Sequence, residues 1–290
     1  MQITTVLSDY DGTLCSTASI RTRDSKIPKM LEEMLWSISE KLPTCIISSK
    51  DFAFLHERTK FAHILACVLG TEIISHKYHN DNKISGTNCI TLRHLIASHQ
   101  LLTDNSRLLR NVREILKNQK DITLEEKYTS DKEILIGLTI DYRHLENWQS
   151  FKDNTEPILR ETVQRNVSAN LGRNLSSRDL PFIQMYSSHP FLDIYGIKCD
   201  KGLAFDNILS QLDRKKAEIK SVMYLGDSEN DNPAFEKAGV SIGVRSDERL
   251  NPKLNCKYTI NFNDLPAFLN RLYENNFVFS ESLLEKIKRN

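Results

Sequence analysis

Short apolar runs constrain this chain more than any other feature. Residues 3–7, 44–47 and 66–69 are runs of the length and character of strands enclosed within a sheet. Between the first two, Met30, Leu31, Met34, Leu35 and Ile38 recur at helical spacing behind Pro28, which suits a first helical turn. Pro43 closes that connection, and a second helix is expected from about Asp51, an N-cap residue, to about Phe61. Strand, helix, strand, helix, strand with short links calls for a parallel sheet with helices on both faces.

Such sheets bind ligands at the carboxyl ends of their strands. The first run ends in Asp9-Tyr10-Asp11-Gly12-Thr13-Leu14, the second in Ser48-Ser49-Lys50, and the third at Gly70. Alternation along a strand aims Asp9 and Asp11 to one side. Two acids so placed repel unless a cation lies between them, and a hard divalent ion such as Mg²⁺ takes carboxylate and carbonyl oxygens. A solvated acidic turn is the plainer reading, because Asp-Gly is a common turn pair.

The texture changes after residue 77. Residues 78–91 are polar and turn-rich, and 92–117 read as two helical stretches broken near Thr103-Asp104-Asn105-Ser106. Residues 122–124 and 134–140 form an expected antiparallel hairpin around Ser130-Asp131. A polar-faced helix follows over 146–171, then two short strands at 182–186 and 191–195. Strands without strand–helix alternation indicate an inserted α+β domain, expected at 84–186 within a core of 1–83 and 187–290.

Parallel texture resumes after Gly196. Lys201-Gly202 opens a helix, and the strand at 222–225 ends in Gly226-Asp227-Ser228-Glu229-Asn230-Asp231. A short helix at 233–238, strands at 240–244 and 258–260, and a helix striped by Leu265, Phe268, Leu269 and Leu272 complete the core. Ser280 is a cap candidate for a last short helix bearing Leu283, Leu284 and Ile287.

Asp-x-Asp-Gly-Thr-Leu, a Ser ending the second strand, Lys-Gly opening a late helix and Gly-Asp-x-x-Asn-Asp resemble, in order, the four motifs of the haloacid dehalogenase superfamily of phosphatases. The resemblance spans Asp9 to Asp231. It implies a phosphoric monoester hydrolase with Asp9 as nucleophile, forming an aspartyl-phosphate. Asp11 is then general acid and base, its pKa raised by neighbouring carboxylates. Lys201 stabilises charge, Ser48 and Asn230 bind the phosphoryl group, and Mg²⁺ is held by Asp9, Asp11 (through its backbone carbonyl) and Asp227, with Asp231 ordering the shell around it. Ser49 and Lys198 are the weaker candidates beside Ser48 and Lys201. Lys50 reads as a surface or substrate-rim charge, and His189 as structural.

The insertion occupies the position of the superfamily's large cap, which favours a small phosphorylated metabolite over a phosphoprotein. Glu125-Glu126-Lys127 and Asp141-Tyr142-Arg143 flank the hairpin in a manner similar to the cap of trehalose-6-phosphate phosphatases, with Asp141 in place of a His. The fourth motif looks more like those of sucrose-phosphate and mannosyl-phosphoglycerate phosphatases. A sugar phosphate held by Glu125, Lys127 and Arg143 is the expectation, against a solvated cross-strand ion pair. A phosphomannomutase-type phosphotransferase and a phosphoglycolate phosphatase remain alternatives on the same scaffold.

Composition bounds the rest. A net charge of +1 over 290 residues gives no reason to expect a nucleic-acid or membrane partner. The six cysteines, Cys15, Cys45, Cys67, Cys89, Cys199 and Cys256, lack metal-binding spacing and read as reduced, mostly buried thiols of a cytoplasmic protein. No secretory signal is evident at the N-terminus, and a monomer or homodimer is expected.

Overall fold

The computed structural model describes residues 1–16, 26–76, 91–169, 180–186, 189–213, 216–245 and 252–285. The turn-rich residues 78–90 with Cys89, residues 187–188 and Ile287 lie outside them. The described cysteines are free thiols, all buried except the half-buried Cys256. No helix among the described residues is long and apolar enough to cross a membrane.

The first strands are β1 (Thr5–Ser8), β2 (Thr44–Ile47), β3 (Ile64–Cys67), β4 (Glu72–His76) and β5 (Thr91–Leu95). The insertion supplies β6 (Thr123–Tyr128), β7 (Leu135–Asp141), β8 (Phe182–Met185) and β9 (Phe191–Tyr195). The chain then returns through β10 (Val222–Gly226), β11 (Val240–Arg245) and β12 (Tyr258–Asn261). The larger sheet has the order β12-β11-β10-β1-β2-β3-β4-β5. Every pairing from β12 across to β3 is parallel, whereas β4 runs antiparallel to β3. The order reverses at β1, so β1 and its neighbours form the switch point where such sheets bind ligands.

The helices are α1 (Lys29–Ser39), α2 (Phe52–Leu55), α3 (His99–Leu116), α4 (Trp148–Ala169), α5 (Lys201–Gln211), α6 (Asn232–Phe235), α7 (Leu265–Glu274) and α8 (Ser282–Glu285). Leu7, Cys45, Ile47, Ile64, Ala66 and Tyr224 meet Phe205, Ile208 and Phe235 of α5 and α6. The alternate residues Val6, Ile46, Leu65 and Met223 are equally buried, and α1 packs on β2 and α7. Burial on both faces explains why these strands read as continuous apolar runs; each enclosed Leu or Ile contributes about 1.5–3 kcal/mol. Met30 departs from the expected stripe of α1 and is 65% exposed, leaving Leu31, Leu35 and Ile38 to face the core.

The second compact unit is an antiparallel sheet of order β6-β7-β9-β8. Leu109, Val112 and Leu116 of α3 pack on Leu138, Ile140, Leu192 and Ile194. The units comprise Met1–Ser49, Phe54–His94 and Asp200–Asn290 on one side, and Lys50–Ala53 with Leu95–Cys199 on the other. The expected insertion, 84–186, therefore shifts at both ends. Thr91–Leu95 extends the larger sheet, and Phe191–Tyr195 pairs with β7 and β8 inside the cap.

Three local expectations are also corrected. Residues 92–117 are one strand and one unbroken helix, not two helices. Ser98 caps α3 through Leu101 N–H, and the apparent breaker faces the sheet: Asn105 donates to the Gly196 carbonyl at 2.6 Å and Ser106 Oγ accepts from Leu135 N–H at 3.1 Å. The helix expected over 51–61 is a single turn, closed where the Leu55 carbonyl accepts from Arg58 and Thr59 N–H. β4, unforeseen, follows a left-handed corner at Val68, Leu69 and Gly70.

Candidate active site

Asp9 leaves β1 with its N–H bonded to the Leu225 carbonyl of β10 at 2.9 Å. A tight turn follows: Gly12 N–H donates to the Cys15 carbonyl at 2.7 Å, and Leu14 and Cys15 N–H both donate to the Tyr10 carbonyl. Gly12 has φ +80°, and a Cβ there would stand 1.9 Å from Asp227 Oδ2. Only glycine lets this turn lie against that carboxylate. Thr13 Oγ1 donates to the other oxygen of Asp227 at 3.2 Å.

Lys201 opens α5 behind Asp200, whose side chain caps the helix by accepting from Leu203 N–H at 2.8 Å. The Lys201 ammonium lies 2.9 Å from Asp9 Oδ2 and 2.6 Å from Asp231 Oδ1. Asp231 is held from all sides. Its Oδ1 also accepts from the Tyr224 hydroxyl, and its Oδ2 accepts from Asp227 N–H at 3.1 Å, Ser228 N–H at 3.0 Å and Ser228 Oγ at 3.1 Å. Ser228 and Asp231 form a capping box around the Glu229–Asp231 turn. Ser228 Oγ further bonds Asn230 Oδ1 at 2.6 Å, fixing the orientation of that amide.

Ser48 ends β2, buried, with its N–H on the Ala66 carbonyl at 3.1 Å. Its own carbonyl accepts from Leu69 N–H at 2.8 Å, so the left-handed corner after β3 braces the serine backbone. Asp9, Asp11, Ser48, Lys201, Asp227, Asn230 and Asp231 thus all lie at the carboxyl ends of β1, β2 and β10 or on the elements that meet them.

The electrostatics show an excess of negative charge. Carboxylate oxygens of Asp9, Asp227 and Asp231 lie within 4.8 Å of one another. Burial pushes the Asp9 carboxyl up to about 7; Lys201 opposes the shift, and Asp231 and Asp11 add to it. Burial, then Asp9 and Asp231, lifts Asp227 well above the usual carboxylate range. Burial alone would lower the Lys201 pKa, but Asp231 and Asp9 outweigh it and hold the amine charged. Among the described residues, one lysine against this set leaves unbalanced charge that a hard cation fits. The donor set is all oxygen, as Mg²⁺ requires. Asp231, engaged by five donors, is suited to bracing the site, whereas Asp9 and Asp227 keep oxygens for a metal.

The charged cap residues find separate partners. Glu125 grips the Lys50 ammonium with both oxygens, at 2.6 and 2.7 Å, so Lys50 is buried and paired, not a surface charge. Lys127 turns inward, 3.0 Å from Asp193, with its side chain 2% exposed. Arg143 pairs with Asp141 at 2.6 Å and lies over the Phe191 ring. Lys198 is exposed, and His189 is buried among Tyr186 and Phe191. Thr13, Tyr224, Ser228 and Asp193 were not foreseen. Ser228 could have been found from its Ser-x-x-Asp spacing, and Asp193 from its place inside an apolar strand.

The sequence matches the model of one protein family, haloacid dehalogenase-like hydrolase, over residues 6–267. No protein of curated function matches it. Among solved structures, the C-terminal domain of a C. albicans trehalose-6-phosphate phosphatase is 15% identical with a TM-score of 0.63, covering 94% of this chain and 93% of that one. A trehalose-6-phosphate phosphatase related protein is 14% identical with a TM-score of 0.61, covering 94% and 98%. A sugar phosphatase of haloacid dehalogenase subclass IIB is 13% identical with a TM-score of 0.56, covering 95% and 100%.

Proposed function

The chain belongs to the haloacid dehalogenase-like hydrolases, a phosphatase family, and from that premise we propose a magnesium-dependent phosphatase whose small phosphorylated substrate is a sugar phosphate. The observation that carries the reading is the cluster of Asp9, Asp227 and Asp231 around the Lys201 ammonium. Phosphoryl transfer asks for a nucleophile, neutralised charge and a proton for the leaving alcohol.

Asp9 attacks phosphorus through one carboxylate oxygen, while the bond from phosphorus to the sugar oxygen breaks. Asp11 gives its proton to that oxygen, then takes one from the water that cleaves the aspartyl-phosphate. Asp9, the Asp11 carbonyl and Asp227 would hold a magnesium ion, whose positive charge would let carboxylate and phosphate approach. Lys201 screens Asp9 and the phosphoryl oxygens, and Ser48 and Asn230 hydrogen-bond to them. Asp231 holds Lys201, Ser228 and the turn after β10 in register.

The sugar is supported by the names of the structural relatives and by the cap residues Glu125, Lys127 and Arg143, to which we assign its hydroxyls. The test is phosphate release from a panel of sugar phosphates, phosphoglycolate and a sugar bisphosphate, with Mg²⁺ and with excess chelator. Release from a sugar phosphate that chelation abolishes and Mg²⁺ restores is expected. Full activity in chelator overturns the metal, and release from phosphoglycolate alone overturns the sugar.

A further inference from the structure

Residues three and four apart on a helix share a face, and His99, Thr103, Ser106, Arg107 and Arg110 are so spaced along α3, beside the buried stripe of Leu102, Leu109 and Val112. With Glu133, in the turn between β6 and β7, they line a groove of about 360 Å³. Helix and turn are tied to each other. Ser106 Oγ accepts from Leu135 N–H at 3.1 Å, and Arg110 Nη2 donates to the Glu133 carbonyl at 3.2 Å. The turn is fixed in its own right: Thr129 Oγ1 accepts from Ile134 N–H at 3.1 Å, and Asp131 accepts from Glu133 N–H at 3.0 Å. Both walls are therefore in place before anything binds.

The charges of this groove are not matched within it. Among the described residues no carboxylate pairs with Arg110; its bonds go to neutral oxygens, the Glu133 carbonyl and, at 3.5 Å, Ser106 Oγ. Arg107, 75% exposed, reaches Asp104 only at 3.5 Å, longer than a charge-assisted bond, and the Gln100 amide shares that oxygen at 3.1 Å. Two guanidinium groups one helical turn apart repel each other. Glu133 offers one negative charge in return, but its carboxylate forms no ion pair with either arginine. Arg107, Arg110, His99 and Glu133 are all exposed, so a ligand meets them without disturbing packed structure.

We propose that this groove is a binding site for the phosphate group of a small molecule, inorganic phosphate or a phosphate ester, held by Arg107 and Arg110 with a further N–H from the His99 ring. The planar guanidinium fork matches the geometry of a phosphate, and an anion between two arginines replaces their repulsion with attraction to itself. A neutral sugar would leave both positive charges unmet, and a metal ion would meet them as like charges. Glu133 opposes a dianion and keeps the site weaker than a purely basic one. The groove shares no residue with the carboxylate cluster, so its failure and that of the phosphatase reading are told apart.

The test uses the full chain in excess chelator, at fixed pH and ionic strength. The ring-proton resonance of His99, assigned with His99→Gln, is followed while inorganic phosphate, glucose 6-phosphate or glucose is added. A saturable shift with inorganic phosphate, the ester or both is expected, and which of them binds identifies the source of the phosphate group. Affinity should fall at least about tenfold in Arg110→Gln and in Arg107→Gln, and rise about threefold in Glu133→Gln. A melting curve that overlays the parent's shows that each variant is folded. No saturable shift with either phosphate, equal affinity in Arg110→Gln and Arg107→Gln, weaker binding in Glu133→Gln, or a shift with glucose as large as with its phosphate overturns the proposal.

Discussion

Lys201 and Lys127 are both almost fully buried, and each is bonded to an aspartate, at 2.6 Å to Asp231 and 3.0 Å to Asp193. Around Lys201 stand Asp9, Asp227 and Asp231, with Tyr224 and the backbone of residues 227 and 228 as donors. Among the described residues one carboxylate, Asp193, stands at Lys127, and its remaining partners are the neutral hydroxyls of Thr139, Tyr186 and Tyr195. Burial alone would raise the Asp193 pKa, but Lys127 and these hydroxyls bring it below the usual carboxylate range. The same burial leaves Asp9 at about 7 because Lys201 is outnumbered. Charge balance, not burial, separates the two regions. A matched, fully bonded pair is self-sufficient, whereas an excess of carboxylates is destabilising until something binds to it.

The sharpest way to break this comparison is to remove one charge from each region. Asp9→Asn deletes the nucleophile and relieves crowding, so turnover should fall at least about a thousandfold while metal-free thermal stability is kept or raised. Lys127→Met strands a buried Asp193 and should cost about 3–5 kcal/mol in urea unfolding. Adding Asp193→Leu to it should recover much of that loss, because a well-packed apolar pair tolerates burial. Substantial turnover in Asp9→Asn, or a Lys127→Met variant as stable as the parent, breaks the distinction.

Titration offers a second approach, with opposite signs in the two units. Asp9 binds its proton up to about pH 7 when folded but only to about pH 3.9 when unfolded. The folded state therefore holds extra protons across that window, and metal-free stability should decline as pH rises from about 4 to 7. Asp227, raised likewise, adds to the decline. Asp193, lowered on folding, contributes stability above the unfolded value that is lost as pH falls through its folded one. Melting curves in chelator should fall toward neutral pH, and Mg²⁺ should raise them far more at pH 7.5 than at pH 5. An equal Mg²⁺ effect at both would remove the carboxylate cluster from metal binding.

How far the sequence discloses such a site depends on where its parts lie. Asp9, Asp11, Ser48, Lys201 and the Asp227–Asp231 turn were legible because each ends a strand or opens a helix, where position and chemistry can be read locally. The bonds that organise them were less so. Tyr224 looks like one more buried strand residue until its hydroxyl reaches Asp231, and Lys50 gives no sign of Glu125, 75 positions away. The parallel core was readable from apolar runs enclosed on both faces. The cap boundary was not, because β5 and β9 are short strands whose sheet membership is decided by partners far along the chain. The Thr103–Ser106 stretch looked like a helix break because polar residues favour turns; its side chains are instead satisfied by the sheet.

The smallest effect expected is in the cap, between Glu125 and Lys50. Both Glu125 oxygens are on the Lys50 ammonium, whose side chain is 6% exposed against 36% for the glutamate. If Glu125 also accepts a hydroxyl of the substrate, Glu125→Ala should lower kcat/KM for the best sugar phosphate by about ten- to a hundredfold, the worth of one hydrogen bond to a charged group. Arg143→Ala, paired now with Asp141, should behave alike if it too reaches the sugar. p-Nitrophenyl phosphate, which has no sugar to hold, should be turned over as before. An ion pair of purely structural value predicts another pattern: Glu125→Ala and Lys50→Met would treat all substrates equally and lose stability together. With Glu125 more than a third exposed, solvent screening limits the value of such a pair to about 1 kcal/mol. Substrate-independent kinetics in Glu125→Ala would therefore make Glu125 a residue that holds the cap and reads nothing.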